Sequence, residues 1–184
     1  MRTEKLYNFL SKRKKELVKS YAIAKKHVLF TEYSGRKKIE ELSKTEKTML
    51  GTVFETVVKK ELNIREGQAL DCSLDDFEFD IKFTCRNNWM IPPECIGQTC
   101  LLAQGTDDTL KVGVFIASED NLNTGQNRDK KRTVSKKGKG TISWVPIVYN
   151  TPVAQLVEQA AHNRPVVGSS PTGSTYVETE EKAC

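Results

Sequence analysis

Three charged residues, Asp71, Asp80 and Lys82, have the types and the spacing that metal-assisted chemistry requires. Residues 70–74 and residues 77–83 both alternate apolar and polar side chains, which is the period-two pattern of a half-buried β-strand. Because alternate side chains of a strand project to one face, Asp80 and Lys82 share a face of the second strand. The three residues are therefore predicted to lie on the polar face of a β-hairpin.

Only Asp75 and Asp76 separate the two strands, and a two-residue turn at this point fixes the register of the hairpin. In that register Asp71 faces Asp80, and Lys82 lies one step further along the strand. Two carboxylates held opposite each other repel strongly unless they share a proton or a cation, so a divalent metal ion is predicted here. The apolar pairs on the buried side are Leu74 with Phe77, Cys72 with Phe79, and Leu70 with Ile81.

Metal-assisted hydrolysis of a phosphodiester needs acidic oxygens to hold the ion and a positive charge near the attacking water or the developing phosphorane. Asp71 and Asp80 supply oxygens, and the carbonyl of Ile81 is predicted as a further metal ligand. Lys82 supplies the charge. Glu55 joins from the preceding helix, either to ligate a second ion or to orient water. The alternative interpretation is a surface hairpin that carries ordinary charged residues.

The composition excludes several other kinds of catalytic site. The chain has 184 residues, of which 38% are hydrophobic and 29% are charged, as in a soluble globular protein of one domain. Its five cysteines show no CxxC pairing, so we expect reduced thiols in the cytoplasm. With two histidines, the chain is a poor candidate for a zinc hydrolase, a His-metal nuclease or a catalytic triad. No segment has the pattern of a membrane span or a signal peptide.

Positive charge is concentrated in two segments of the sequence. Residues 1–38 contain twelve Lys and Arg residues against three Glu residues, and residues 127–139 contain seven against one Asp. Two dense basic segments around an acidic cluster predict a polyanionic ligand, most simply a nucleic acid backbone. A solvated surface that only promotes solubility is the alternative.

The remaining patterns predict a mixed α/β domain over residues 1–150, with a basic helical N-terminus at 1–42 and a catalytic core at 43–150. Residues 3–28 have the apolar spacing of one or two helices. Ser43 and Glu46 form a capping box that opens a helix ending near Leu62. The other predictions are loops at 63–67 and 118–140, a rigid turn at 90–94 followed by a short helix, and strands at 99–104, 111–117 and 141–149.

The last segment of the chain, residues 151–184, differs from the rest in composition. It is rich in glycine, serine and proline from Gly168 to Ser174 and ends in an acidic stretch. Apart from a short amphipathic pattern at 153–161, it is predicted to be a disordered tail. The stretch from Pro152 to Thr175 resembles the out-of-context translation of a transfer RNA gene, so we expect the tail to be read-through sequence outside the domain.

Beyond the acidic residues, two longer strings give the sequence a family resemblance. The order Glu55, Asp71, Asp80 and Lys82 resembles the PD-(D/E)xK nucleases. The strings NWMIPPE at residues 88–94 and NLNTGQNRDKKRT at residues 121–133 are more specific and resemble the endonuclease domain of NaeI-type restriction enzymes. The resemblance covers about residues 30–148.

The resemblance implies a restriction-endonuclease-like mixed sheet flanked by helices and a Mg²⁺-dependent type II restriction endonuclease. Such an enzyme hydrolyses double-stranded DNA at a short palindromic site, as a homodimer that cuts both strands. By resemblance, Glu55, Asp71, Asp80 and Lys82 occupy the catalytic positions. The residues it places against DNA, in the groove or at phosphates, are Asn88, Trp89, Asn123, Asn127, Arg128, Lys130, Lys131 and Arg132. The alternative interpretation of Trp89 is a position in the core of the protein.

One departure from the family pattern generates the alternatives. NaeI-type enzymes carry a second DNA-binding domain after the nuclease domain, and a different segment follows Tyr149 here. We therefore expect a truncated enzyme that loss of this domain leaves inactive or impaired. The alternatives are a MutH-like repair endonuclease that nicks one strand and a DNA-binding remnant without catalysis.

Overall fold

The computed structural model describes residues 2–149, and this part of the chain is a mixed α/β fold. The predicted tail, 151–184, lies outside the described residues. The helices of the described part are α1 (Arg2–Ser11), α2 (Lys14–Leu29), α3 (Thr31–Ser34), α4 (Lys44–Glu61) and α5 (Lys136–Gly140). Its strands are β1 (Arg65–Glu66), β2 (Cys72–Leu74), β3 (Phe77–Thr84), β4 (Met90–Ile91), β5 (Thr99–Gly105), β6 (Leu110–Ile116), β7 (Leu122–Gln126), β8 (Arg132–Val134) and β9 (Ser143–Val145).

The strands form two sheets. The larger sheet has six strands in the order β1-β2-β3-β5-β6-β9, in which β3 and β5 are parallel and the other neighbours are antiparallel. The smaller sheet has three antiparallel strands in the order β4-β8-β7. A mixed sheet flanked by helices is the architecture that the resemblance implied, and that prediction is confirmed.

Helices α2 and α4 pack together against the larger sheet. The predicted capping box begins α4: the Ser43 hydroxyl accepts from the Glu46 N–H, and the Glu46 carboxylate accepts from the Ser43 N–H. Leu50, Phe54 and Val58 recur at helical spacing and are buried in the core. The core also contains Leu6, Leu10 and Leu17, so the basic N-terminal helices belong to the same folded unit as the hairpin.

A second apolar cluster lies on the opposite face of the larger sheet. Trp89 and Ile91, from the region of β4, pack there with Phe115 of β6 and with Leu122 and Val134 of the smaller sheet. Strand β5 thus contributes to both clusters, and Asp80 of β3, which is only 3% exposed, pairs with Cys100 of the second cluster.

Four sequence predictions of local structure need correction. The rigid turn predicted at 90–94 contains β4, and the short helix predicted after it is a 3₁₀-helix at Pro93–Cys95. The segment 118–140, predicted as a loop, contains β7, β8 and α5, because Leu122 and Val134 are buried beneath the short strands. The loop predicted at 63–67 contains β1, and the strand predicted at 141–149 is limited to Ser143–Val145. These strands are two to five residues long, so their apolar periodicity is too brief to distinguish them from loops. Within residues 2–149, no helix combines the length and the apolar character needed to cross a membrane.

Candidate active site

The β2–β3 hairpin has the register that its sequence predicts. Leu74 pairs with Phe77, and Cys72 pairs with Phe79. Asp75 takes the left-handed conformation, with φ of 51°, that a tight turn requires and that glycine usually supplies. The ladder ends at Cys72, so Asp71 lies just beyond the last paired residue.

The side chains of Asp71, Asp80 and Lys82 meet on the predicted face. The Lys82 ammonium forms an ion pair with Asp80 Oδ2, and its Nζ lies 3.4 Å from Asp71 Oδ2. The same Nζ donates a hydrogen bond of 3.2 Å to the carbonyl oxygen of Ile81. Asp71 Oδ2 in turn accepts a 3.2 Å hydrogen bond from the Ile81 N–H. The ammonium therefore lies among all three groups that were predicted as metal ligands, namely the carboxylates of Asp71 and Asp80 and the carbonyl of Ile81.

Burial makes the two carboxyl groups unequal. The Asp80 side chain is 5% exposed, whereas that of Asp71 is 30% exposed. Burial raises the pKa of Asp80 to about 7, and a hydrogen bond with Asp71 adds to the increase. Burial also acts to raise the pKa of Asp71, but the hydrogen bond with Asp80 and the charge of Lys82 lower it overall. The two carboxyl groups titrate as a pair, of which Asp80 is the more readily protonated member.

The oxygen atoms at this site fit a hard divalent cation. Asp80 Oδ2 is buried and forms an ion pair with Lys82, but no hydrogen bond of standard geometry satisfies it. A buried carboxylate oxygen in this situation gains by coordinating a cation. Carboxylate and carbonyl oxygens are the ligands that Mg²⁺ prefers. Asp71, Asp80 and the Ile81 carbonyl would hold such an ion.

The Glu55 carboxylate is engaged with a different set of charges. It pairs with Lys59 at 2.9 Å, one helical turn along α4, and Lys59 also pairs with Glu66 at 3.1 Å. Across residues 2–149, no three acidic, histidine or cysteine side chains are gathered closely enough to hold a metal ion together. The role of Glu55 as a ligand or water-orienting residue therefore stays a prediction.

Sequence reasoning missed one carboxylate close to the cluster. Glu78 lies on β3, two residues before Asp80, and binds the backbone of the segment that leads into Asp71. The alternation that placed Asp80 and Lys82 on one face places Glu78 there as well. A cleft of about 580 Å³ borders Glu78, whereas Asp71, Asp80 and Lys82 do not line it. The acidic cluster is thus beside this cleft and not inside it.

The predicted DNA-contact residues fall mainly on the hairpin of β7 and β8. Its tip is held by Asn127, whose Oδ1 accepts from the Asp129 N–H at 3.0 Å and from the Lys131 N–H at 2.9 Å. Arg128 and Lys130 are exposed at this tip, and Lys131 is half-buried. Asn88, between β3 and β4, and Asn123 of β7 are also exposed.

Two residues from that set are placed differently by the structure. Trp89 is 1% exposed, and its indole N–H donates a 2.9 Å hydrogen bond to the Ala103 carbonyl, so the prediction of a DNA contact is wrong for this side chain. Arg132 is 7% exposed and donates to the carbonyl of Asn123 at 2.7 Å while it pairs with Glu119. Arg132 anchors the base of the hairpin and presents no guanidinium to solvent.

The raised pKa of Asp80 predicts how stability changes with pH. Between the ordinary aspartate value and about 7, the unfolded chain releases a proton that the folded chain keeps, so stability falls as pH rises. Asp80→Asn removes this group. From pH 4.5 to pH 8, in the presence of a chelator, the free energy of unfolding of wild type should therefore fall by at least about 1.4 kcal/mol more than that of Asp80→Asn. This difference corresponds to a pKa shift of one unit. Urea unfolding at both pH values measures it, and parallel pH profiles would contradict the buried, protonated Asp80.

Comparison with known proteins agrees with this geometry. Residues 24–178 match the family model described as "Restriction endonuclease NaeI". Over 112 residues the chain is 32% identical to the Type II restriction enzyme NaeI of Lentzea aerocolonigenes, an alignment that covers 59% of this chain and 35% of that enzyme. The chain thus spans about a third of the length of the curated relative it matches. The family match extends past Asn150, and the domain boundary predicted there stays a prediction. Because the match includes most of its residues, the chain belongs to the NaeI restriction endonuclease family.

Proposed function

We propose that this chain is the nuclease domain of a Mg²⁺-dependent type II restriction endonuclease that cleaves double-stranded DNA. The observation that carries the proposal is the arrangement of Asp71, Asp80 and the Ile81 carbonyl around the Lys82 ammonium. The name of the curated relative, a type II restriction enzyme, supports the same activity. A cytoplasmic homodimer that cuts both strands of a palindrome is the form of the enzyme that we propose.

The proposed mechanism assigns a separate role to each side chain. Asp71, Asp80 and the Ile81 carbonyl would hold a divalent ion, which when bound would supply Lewis acidity and lower the pKa of a water molecule. Lys82 places a compact positive charge beside the attacking water and the developing charge on phosphorus. Glu55 of α4 would ligate a second ion or orient water. A cation at these oxygens would favour the ionised form of Asp80 and would compete with the Lys82 ammonium for them.

The basic hairpin supplies the proposed contact with DNA. Arg128 and Lys130 project from a tip whose turn is fixed by Asn127, and Asn123 lies on the adjoining strand. Charged side chains on a fixed turn favour contact with backbone phosphates, which sets the position of the protein on the duplex. Asn88 and Asn123 are proposed to face the groove.

Supercoiled plasmid DNA tests the proposed reaction directly. Wild type with Mg²⁺ should give linear fragments with defined ends, and chelator should abolish cleavage. Lys82→Met should lose cleavage by at least about a hundredfold while DNA affinity stays within about twofold, because the charge acts on the reacting phosphate. Nicked circles as the end product would favour a strand-nicking enzyme instead, and binding without cleavage in wild type would favour a non-catalytic DNA-binding protein.

The position of Lys82 also predicts the affinity of the metal site. Lys82→Met removes a cation that lies among the proposed ligands, so at pH 8.5 Mg²⁺ should bind about tenfold or more tightly, since unit charges this close interact by several kcal/mol. Titration calorimetry without DNA measures this affinity. Lys5→Met is the matched control, because Lys5 pairs with Asp76 at the exposed turn of the same hairpin. Weaker Mg²⁺ binding in Lys82→Met than in Lys5→Met would contradict the proposed ligand set.

Salt dependence tests the role of the basic hairpin. Arg128→Gln with Lys130→Gln should reduce the slope of log affinity against log salt by roughly one unit for each phosphate that the protein no longer neutralises. Lys12→Gln with Lys15→Gln makes the same change of charge on exposed residues of the N-terminal helical region. A slope that falls in the helical variant and stays constant in the hairpin variant would transfer the DNA contact to the N-terminal segment.

A further inference from the structure

The Glu78 carboxylate binds three consecutive backbone amides. Its Oε1 accepts from the Gln68 N–H at 2.7 Å, and its Oε2 accepts from the Ala69 and Leu70 N–H groups, both at 2.9 Å. These three residues come immediately before Asp71 in the chain. Each bond is charge-assisted, and such bonds are stronger than neutral ones.

Asp71 depends on this support because regular pairing ends before it. The β2–β3 ladder ends at Cys72, so ladder hydrogen bonds do not fix the backbone of Asp71. Residues 68–71 form bends between β1 and β2. The three bonds to Glu78 connect this irregular segment to β3, the strand that also carries Asp80.

Gly67 shows how tightly the segment is folded on itself. A Cβ atom at position 67 would lie 2.3 Å from the Leu70 carbonyl oxygen and 3.1 Å from that of Cys72. The backbone at Gly67 therefore approaches the Leu70 carbonyl at a distance that only glycine permits. This close approach lies in the same segment whose amides, those of Gln68, Ala69 and Leu70, bind Glu78.

We propose that Glu78 is a positioning residue that holds Asp71 against Asp80 and Lys82, an inference that rests on the proposed nuclease function for its catalytic consequence. Glu78 itself does not contact the cluster. It fixes the backbone from which the Asp71 carboxylate reaches the Ile81 N–H and the Lys82 ammonium. Residues that orient a metal ligand in this way typically change metal affinity by ten- to a hundredfold when they are lost.

The test uses a readout that needs neither metal nor DNA. The Ile81 N–H donates to Asp71 Oδ2, so its hydrogen exchange reports whether Asp71 stays in place. Glu78→Gln keeps the length of the side chain but loses the charge and one acceptor. In that variant the Ile81 amide should exchange about tenfold faster, because a factor of this size corresponds to the free energy of one hydrogen bond. Asp76→Asn, an exposed acid on the same hairpin, should leave this exchange unchanged.

A second variant perturbs the same segment by a steric clash and leaves Glu78 unchanged. Gly67→Ala introduces the clash with the Leu70 carbonyl, and it should also accelerate exchange at Ile81. If only the amides of residues 68–70 exchanged faster in Glu78→Gln, and Ile81 kept its wild-type rate, Glu78 would support the loop without positioning Asp71.

Calorimetry then separates this inference from the proposed function. Where wild type binds Mg²⁺, Glu78→Gln should bind it about ten- to a hundredfold more weakly, and Asp76→Asn should match wild type. Absence of Mg²⁺ binding in wild type would overturn the metal-dependent function, while the exchange rate of Ile81 would still decide the role of Glu78. An unchanged Mg²⁺ affinity in Glu78→Gln would overturn the positioning role at the metal site.

Discussion

The repulsion between two neighbouring carboxyl groups is the constraint on which the site depends. Asp71 and Asp80 lie within reach of one proton, and Asp80 is almost fully buried. Such a pair persists only if a proton, an ammonium or a metal ion neutralises it, and the structure places the Lys82 ammonium there. The cost of burying the pair is borne by the rest of the fold, in particular by the apolar clusters on both faces of the central strands. Because the Lys82 ammonium neutralises the pair without a covalent bond, a metal ion could take its place beside the two carboxyl groups.

The position of Asp80 follows from the order of the strands. It lies on β3 beside β5, where Cys100 is its partner in the parallel pairing, and both strands are in the middle of the larger sheet. Asp71, in contrast, lies in an irregular segment, just beyond the end of the short strand β2. The pair thus combines a rigid, dry carboxyl group with one that is more exposed and more easily adjusted. Their different surroundings explain why the pKa of one rises while that of the other falls.

Sequence patterns predicted most of what short-range chemistry determines. The alternation of β3, its turn at Asp75 and the capping box at Ser43 were all correct, because each depends on a few consecutive residues. The small sheet was missed, since β7 and β8 acquire their burial from distant residues in the second apolar cluster. Arg132 was misassigned for a related reason: a basic residue in a basic run has the same sequence signature whether it pairs with Glu119 or faces solvent. The three amides that bind Glu78 come from a segment without periodicity, so no pattern indicated them.

The anchored base of the β7–β8 hairpin has a consequence for molecular recognition. Arg132 fastens one end to Glu119 and to the Asn123 carbonyl, and Asn127 fixes the tip by accepting two backbone N–H bonds. A segment held in this way loses little conformational entropy when it meets a ligand, so binding energy is not spent on ordering a loop. The proposed association of the hairpin with DNA would then be governed by long-range electrostatic attraction and by the salt ions that screen it. Because the hairpin is already folded, the salt concentration and not the folding of a loop would set the rate at which it meets its ligand.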